Sequence, residues 1–318
     1  MSSTGTVVRW RLHGDEREPT TRQRGLNVLR ELQRQGADAD AWDGHSPADV
    51  IVLQYDMRLL EEALRAAPVV IADINDMVWA DHLPNRAEVL KGLDRVQAVV
   101  AGSPHLGRYL QRLHERVRVI EEAVDPCYFA VRSVAHEGLG IFWMGMHDNL
   151  AFLREADEAL KILHDRQPFT LNVTCPPRNS RGRSNSAVVE AKPYGTCFRP
   201  WTPNTVLELM AISDIGIAPL FQNAWCWCKC ANKPASMMAA GLPVVVSDVP
   251  SYRAVVDEGE TGFLCSDPED WMGAVEGLLS DAKLRRRLGM AARNRVAQAL
   301  SIEQIAAQWW AFIMEVSG

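Results

Sequence analysis

The chain has 318 residues, 47% of them hydrophobic, enough for two ordinary domains or one large one. Its net charge of -6 comes without a block of like charges, which argues against nucleic-acid binding or a polybasic membrane patch. No run approaches the roughly 18 apolar residues of a transmembrane segment, "MSSTGTVVRWRLHGDERE" has no signal-peptide core, and an odd number of cysteines reads as reduced thiols in a cytoplasmic protein.

Strand and helix patterns alternate along the chain. "TVVRWRL" reads as a strand, and "GLNVLRELQRQG" as a helix with Leu26, Leu29 and Leu32 on one face and Gly36 as its stop. "ADVIVLQY" is a strand, "RLLEEALRAA" a helix, "PVVIADIND" a strand, "RAEVLKGLDRV" a helix and "QAVVAGS" a strand. "HLGRYLQRLHE" and "RVRVIEEAVD" complete the first half. The second half repeats the rhythm. It runs from the strand "GIFWMGM" through a helix striped by Leu153, Ala156, Leu160 and Leu163 to the strand "FTLNVTC". "SDIGIAPL" holds another strand, "PVVVSDV" is an apolar run of the kind buried on both faces, and "TGFLCS" is the last. Residues 175–195, rich in Pro, Ser, Arg and Gly, read as a surface loop or small insertion. Three helical stretches end the chain, and the arginine run around Arg285 to Arg287 reads as a solvated face.

Alternation of this kind implies an α/β protein with parallel sheets covered by helices. The break near "CYFAVRSVAHEGLG" implies two doubly wound domains. The expected division is 1–130 for an N-terminal Rossmann-like domain, 131–300 for a second one, and 301–318 for a terminal helix.

Ligands of such sheets sit at the carboxyl ends of strands, where helix N-termini point their N–H groups. After "SDIGIAPL" comes "FQNAWCWCKCANKPASMMAAG". Pro234 suits the first turn of a helix and Gly241 its stop. Lys229 and Lys233 bring two charges to that helix start, which makes a candidate diphosphate site. Solvated surface lysines are the alternative. In "DIND", Asp73, Asn75 and Asp76 end a strand of the first half; a loop satisfying its own backbone competes with a functional reading. His82 and His147 are further candidates, each with a structural alternative. Cys226, Cys228 and Cys230 alternate at a spacing unlike a zinc ribbon, so the expected metal set is none. Trp225 and Trp227 could stack on a sugar or anchor the loop.

Asp214, Gly216, Pro219, Leu220, Trp225, Lys229, Cys230, Lys233, Met238 to Gly241, Pro243, Gly259, Gly262 and Phe263 together form a dense pattern. It resembles the C-terminal domain of GT-B glycosyltransferases of the family-4 (group 1) type, above all bacterial and phage-borne members with a W-x-x-G-K-C-x-x-K loop. Weaker likeness extends over most of the chain. The resemblance implies the GT-B fold, two doubly wound Rossmann-like domains facing a cleft, with 1–130 on the acceptor side and the terminal helix crossing back to it. It implies transfer of a sugar from a nucleotide-diphosphate donor to an acceptor hydroxyl, a hexosyltransferase-type reaction that retains configuration and needs neither metal nor cofactor. The acceptor stays open among a small molecule, a glycan and a protein side chain.

Carried over by position, Asn75, Asp76 and Lys233 are the catalytic candidates. Gly145, His147, Arg199, Trp201, Lys229, Lys233 and Ser236 are the donor-binding ones, with Phe198 beside the base. The chain departs from the pattern at two positions: the family's paired glutamates fall on Cys228 and Ser236, and the turn after the first strand of the second half, "GMHDN", lacks the usual basic pair. A serine cannot give ribose hydroxyls the charge-assisted bonds of a carboxylate. A non-catalytic nucleotide-sugar or partner-binding descendant is therefore the alternative, with a sugar-nucleotide epimerase a third and weaker reading.

Overall fold

The computed structural model describes residues 5–16, 18–54, 57–77, 86–146 and 148–318. The described residues form two compact units, each built on a six-stranded parallel sheet. The first unit runs up to Asp125 and also takes Trp227–Ala231 and Ala299–Gly318; the second takes Pro126–Cys226 and Asn232–Gln298. Among the described residues no helix is long and apolar enough to cross a membrane.

The first sheet comprises β1 (Val7–Arg11), β2 (Asp38–Ala41), β3 (Val50–Gln54), β4 (Val69–Ile74), β5 (Ala98–Ala101) and β6 (Val117–Val119), in the order β2-β1-β3-β4-β5-β6. β3 and β4 are buried along their whole length, as their unbroken apolar runs require in a sheet covered on both faces. β2, "DADA", lies at the edge with only Ala39 buried. Its charge discourages further strand pairing, and the same aspartates hide it from an apolar-run reading of the sequence. The order reverses between β1 and β3, which places the first unit's crevice at their carboxyl ends.

The chain leaves β1 through a loop and a π-helical turn, Thr21–Leu26, which continues as the α-helix Asn27–Arg34. Arg24, Val28 and Leu32 fall at i, i+4 and i+8 and are all fully buried. The helix thus carries a guanidinium on its core-facing stripe. The C-terminal helix Ile302–Ser317 belongs to the same unit. Its Trp309 meets Trp10 of β1 edge to face, with ring centroids 4.6 Å apart.

The second sheet comprises β7 (Leu139–Met144), β8 (Phe169–Cys175), β9 (Thr196–Pro200), β10 (Ile215–Ala218), β11 (Val244–Ser247) and β12 (Gly262–Cys265), in the order β12-β11-β10-β7-β8-β9. Its core joins Ile141, Trp143, Leu171, Val173, Ile215, Ile217 and Val245 from the strands to Leu153, Leu160, Leu163 and Val275 from the covering helices. The order reverses between β7 and β10. β9 is an edge strand containing Arg199 and ending in Pro200, a position where a missing donor costs little. The segment 175–195, expected as a loop, includes a helix, Asn185–Glu190, whose N-cap Ser184 accepts from Ala187 N.

The helix Asn232–Ala239 follows β10 and has Pro234 in its first turn. It ends in a Schellman pattern: Leu242 N donates to Met237 O and Gly241 N to Met238 O. Gly241 takes φ +86°, a conformation other residues rarely adopt.

Candidate functional site

In the first unit a polar network occupies the carboxyl end of the sheet. Arg24 Nε lies 3.1 and 3.2 Å from the two oxygens of Asp73 on β4, and Nη2 completes the fork. Arg24 Nη1 donates to Ile120 O, just after β6, at 2.8 Å. Both side chains are fully buried. Burial pushes the Asp73 carboxyl up and the Arg24 partner opposes it. Burial pulls on Arg24 in the other direction, but Asp73 overrides it and the guanidinium stays charged.

Asn75, two residues past Asp73, is 8% exposed. Its Nδ2 donates to Thr20 Oγ1 at 2.9 Å and Glu122 Oε1 at 3.2 Å. Asp76 Oδ1 accepts from Met77 N at 2.8 Å, and Oδ2 lies 3.4 Å from Lys229 Nζ. The segment Trp227–Ala231 is thus fastened to the first unit. Cys230 Sγ lies 3.2 Å from both Asn75 O and Gly102 O, its one S–H shared between them, and Ser103 Oγ donates to Cys228 O at 2.9 Å. Burial, reinforced by Glu122, holds the Cys230 thiol well above the usual thiol range. Burial and then Asp76 push Cys228 up to about 11. Both thiols are protonated at neutral pH. Among the described residues no three His, Cys, Asp or Glu side chains are arranged to hold a metal ion.

In the second unit the side chains converge where the strand order reverses. Trp143 lies on β7, and Asn149 and Phe152 lie in the 3-10 turn Asn149–Leu153 that follows it. Lys233 comes from the first turn of the helix after β10. Its Nζ lies 5.7 Å from the Trp143 ring centroid and 5.6 Å from that of Phe152. With the Asn149 amide turned to suit its donors, Oδ1 accepts from Lys233 Nζ at 3.2 Å and Met146 N at 3.3 Å. The helix start and the ammonium both present positive potential to this end of the sheet. Thr174 Oγ1, near the end of β8, is buried without a hydrogen-bond partner.

The structure distributes the expected residues between the two units. Asn75, Asp76 and Lys229 lie in the first; Gly145, Arg199, Trp201, Lys233 and Ser236 lie in the second. Lys229 and Lys233, four positions apart in sequence, therefore have their partners in different units. Gly145 N donates to Thr174 O and Trp201 N to Cys175 O. Arg199 Nη1 donates to Glu208 at 3.0 Å in an exposed ion pair. Ser236 is buried within its helix. Trp225 stands 6.3 Å from Phe152, and Trp227 meets His105 edge to face in the first unit. His82 and His147 lie outside the described residues.

Sequence reasoning missed Arg24, Trp143, Asn149 and Phe152. Arg24 left a signal, since a charge in register with Val28 and Leu32 on an apolar stripe marks a buried ion pair. The other three left none. They are defined by where Lys233 arrives, which depends on how β7 and β10 pair.

Residues 139–281 match the family described as "Glycosyl transferases group 1". Over 100 residues the chain is 29% identical to the D-inositol 3-phosphate glycosyltransferase of Corynebacterium diphtheriae. That stretch is 31% of this chain and only 22% of the relative. Solved structures are similar over nearly the whole chain. A glycosyltransferase from Rickettsia africae is 15% identical with a TM-score of 0.74, covering 98% of each chain. The sucrose-phosphate synthase of Thermosynechococcus elongatus is 14% identical with a TM-score of 0.73, again over 98% of each. HepE from Anabaena, solved in complex with UDP, is 11% identical with a TM-score of 0.72, over 98% of this chain and 100% of that one. At these identities the likeness establishes the fold, which is GT-B.

Proposed function

We propose that the protein is a glycosyltransferase that moves a sugar from a nucleotide-diphosphate sugar to an acceptor hydroxyl, with retention of configuration and without a metal ion. The observation that carries this reading is the Lys233 ammonium held at the strand-order reversal of the second sheet, at a helix start. A diphosphate leaving group gains negative charge as the anomeric carbon becomes oxocarbenium-like, and a fixed cation with a helix dipole stabilises that charge. The departing phosphate oxygen can accept the proton of the acceptor hydroxyl, so no carboxylate base is required. Gly145, His147, Arg199, Trp201, Lys229 and Ser236 are assigned to the donor, and Asn75 and Asp76 to the acceptor side. The family match over 139–281 supports the transferase reading, and the UDP bound to HepE supports a nucleotide-diphosphate donor.

The test is calorimetric titration with nucleotide sugars in EDTA, followed by assay for the released nucleoside diphosphate and NMR of the product's anomeric configuration. Lys233→Ala is expected to weaken donor binding severely while leaving it measurable, and unchanged affinity would remove Lys233 from the site. A second reading, a binding module without turnover, is favoured by Cys228 and Ser236 standing where relatives carry carboxylates, both of them buried. Donor binding with neither transfer nor hydrolysis would select it.

A further inference from the structure

We propose that Phe152 and Asn149, with Trp143 behind them, are positioning residues that set the Lys233 ammonium for a diphosphate. This rests on the reading of Lys233 as the diphosphate ligand. A lysine side chain has four rotatable bonds, and ordering it costs rotamer entropy. A cation already fixed where the phosphate arrives does not incur that cost on binding.

The geometry around Lys233 is that of a fixed cation. Two ring faces lie within 6 Å of Nζ, and an amide oxygen caps it at 3.2 Å. Trp143, Phe152 and Asn149 are all uncharged. They attract the ammonium through ring quadrupoles and one dipole.

The rings are themselves immobilised. Trp143 is fully buried and Phe152 is 5% exposed. Phe152 packs edge to face on Phe221, centroids 5.0 Å apart, and the Arg154 guanidinium lies 5.5 Å from the Phe221 ring centroid. Asn149 is anchored by its N–H to Met146 O at 3.0 Å and by its side-chain oxygen to Met146 N. The first turn after β7 carries no lysine or arginine of its own before Arg154. The positive charge at this turn is delivered from the helix after β10, and the two aromatic residues and the asparagine fix where it stops.

The experiment titrates the wild type, Phe152→Leu, Asn149→Ala, Lys233→Ala and the Phe152→Leu/Lys233→Ala double variant with ADP, GDP, CDP, UDP and dTDP. The nucleoside of the tightest diphosphate serves as the phosphate-free probe. Phe152→Leu is expected to weaken the diphosphate about tenfold and Asn149→Ala about threefold, with the nucleoside within about twofold of wild type. In the Lys233→Ala background, Phe152→Leu is expected to cost nothing further. Equal losses for nucleoside and diphosphate, or an undiminished Phe152→Leu loss without Lys233, would show general packing and overturn the proposal alone. Failure of all five diphosphates to bind the wild type would overturn the donor-site reading and this proposal with it. Asn149→Ala sits on a partly exposed turn, so it tests the proposal even if Phe152→Leu misfolds.

Discussion

Arg24 shows what a single residue can settle. It cannot shed its proton, so burying it commits the fold to a carboxylate partner and a full set of acceptors. Asp73 supplies the fork, and Ile120 O takes a further N–H. The guanidinium thereby ties the ends of β4 and β6 together, next to Asn75 and Glu122. Arg24→Met would strand a buried carboxylate, and urea denaturation should show a loss of about 3–5 kcal/mol. The double variant Arg24→Met/Asp73→Leu should recover most of that loss, because two apolar side chains need no desolvation offset. A double variant as unstable as the single one would mean that the pair's charge itself holds the strand ends. At this scale the sequence was partly legible. Lys233 and Asn75 could be picked from their places at strand and helix ends. Arg24 was hidden inside a helix read only for its leucines, and Phe152 had no pattern to betray it.

At the scale of elements, the segment Trp227–Ala231 departs most from linear reading. It lies in sequence between β10 and the helix Asn232–Ala239, yet its contacts are with β4, β5 and the loops that follow them. Gly102 makes the fit possible. A Cβ there would stand 2.7 Å from Cys230 Sγ and 2.9 Å from the Asn75 backbone, closer than real side chains approach. Gly102→Ala should therefore displace the segment and uncover the Cys230 thiol. Alkylation at pH 8 followed by peptide mass mapping should show Cys230 modified far faster in the variant than in the wild type. Equal rates would mean the segment absorbs the methyl without moving. Most strands were legible because unbroken apolar runs of Val, Ile and Leu have few other homes. β2 and β9 were not, since an edge strand needs only one buried side chain and can be as polar as "DADA" or end in proline. The docking of Trp227–Ala231 was illegible for a different reason: its partners are more than 100 positions away in the chain.

At the scale of the whole molecule, alternation of strand and helix was enough to call for two parallel sheets, because crossover helices leave few other topologies. What alternation cannot give is strand order, and the order is what places each crevice. The same burial that makes parallel strands stable also makes the protein's response to alkali predictable. Cys175 ends β8 in the second unit and Cys228 lies in the first, and burial pushes each thiol up to about 11. An unfolded thiol ionises near pH 8.5. Between those values the unfolded chain releases protons that the folded chain retains, so each rise in pH favours unfolding. The stabilising contribution is complete below the unfolded value and is lost as pH climbs toward the folded one. Urea midpoints measured in reductant should fall steadily from pH 8 to pH 10. Replacing Cys175 and Cys228 with alanine should flatten that slope while lowering the midpoint at pH 8, since the cavities cost stability at every pH. A wild-type midpoint that holds level to pH 10 would mean the thiols reach water before the fold opens. A slope unchanged by the alanines would assign the alkaline loss to other groups, first the Cys230 and Cys265 thiols, which burial also raises and which ionise in the same range once unfolded.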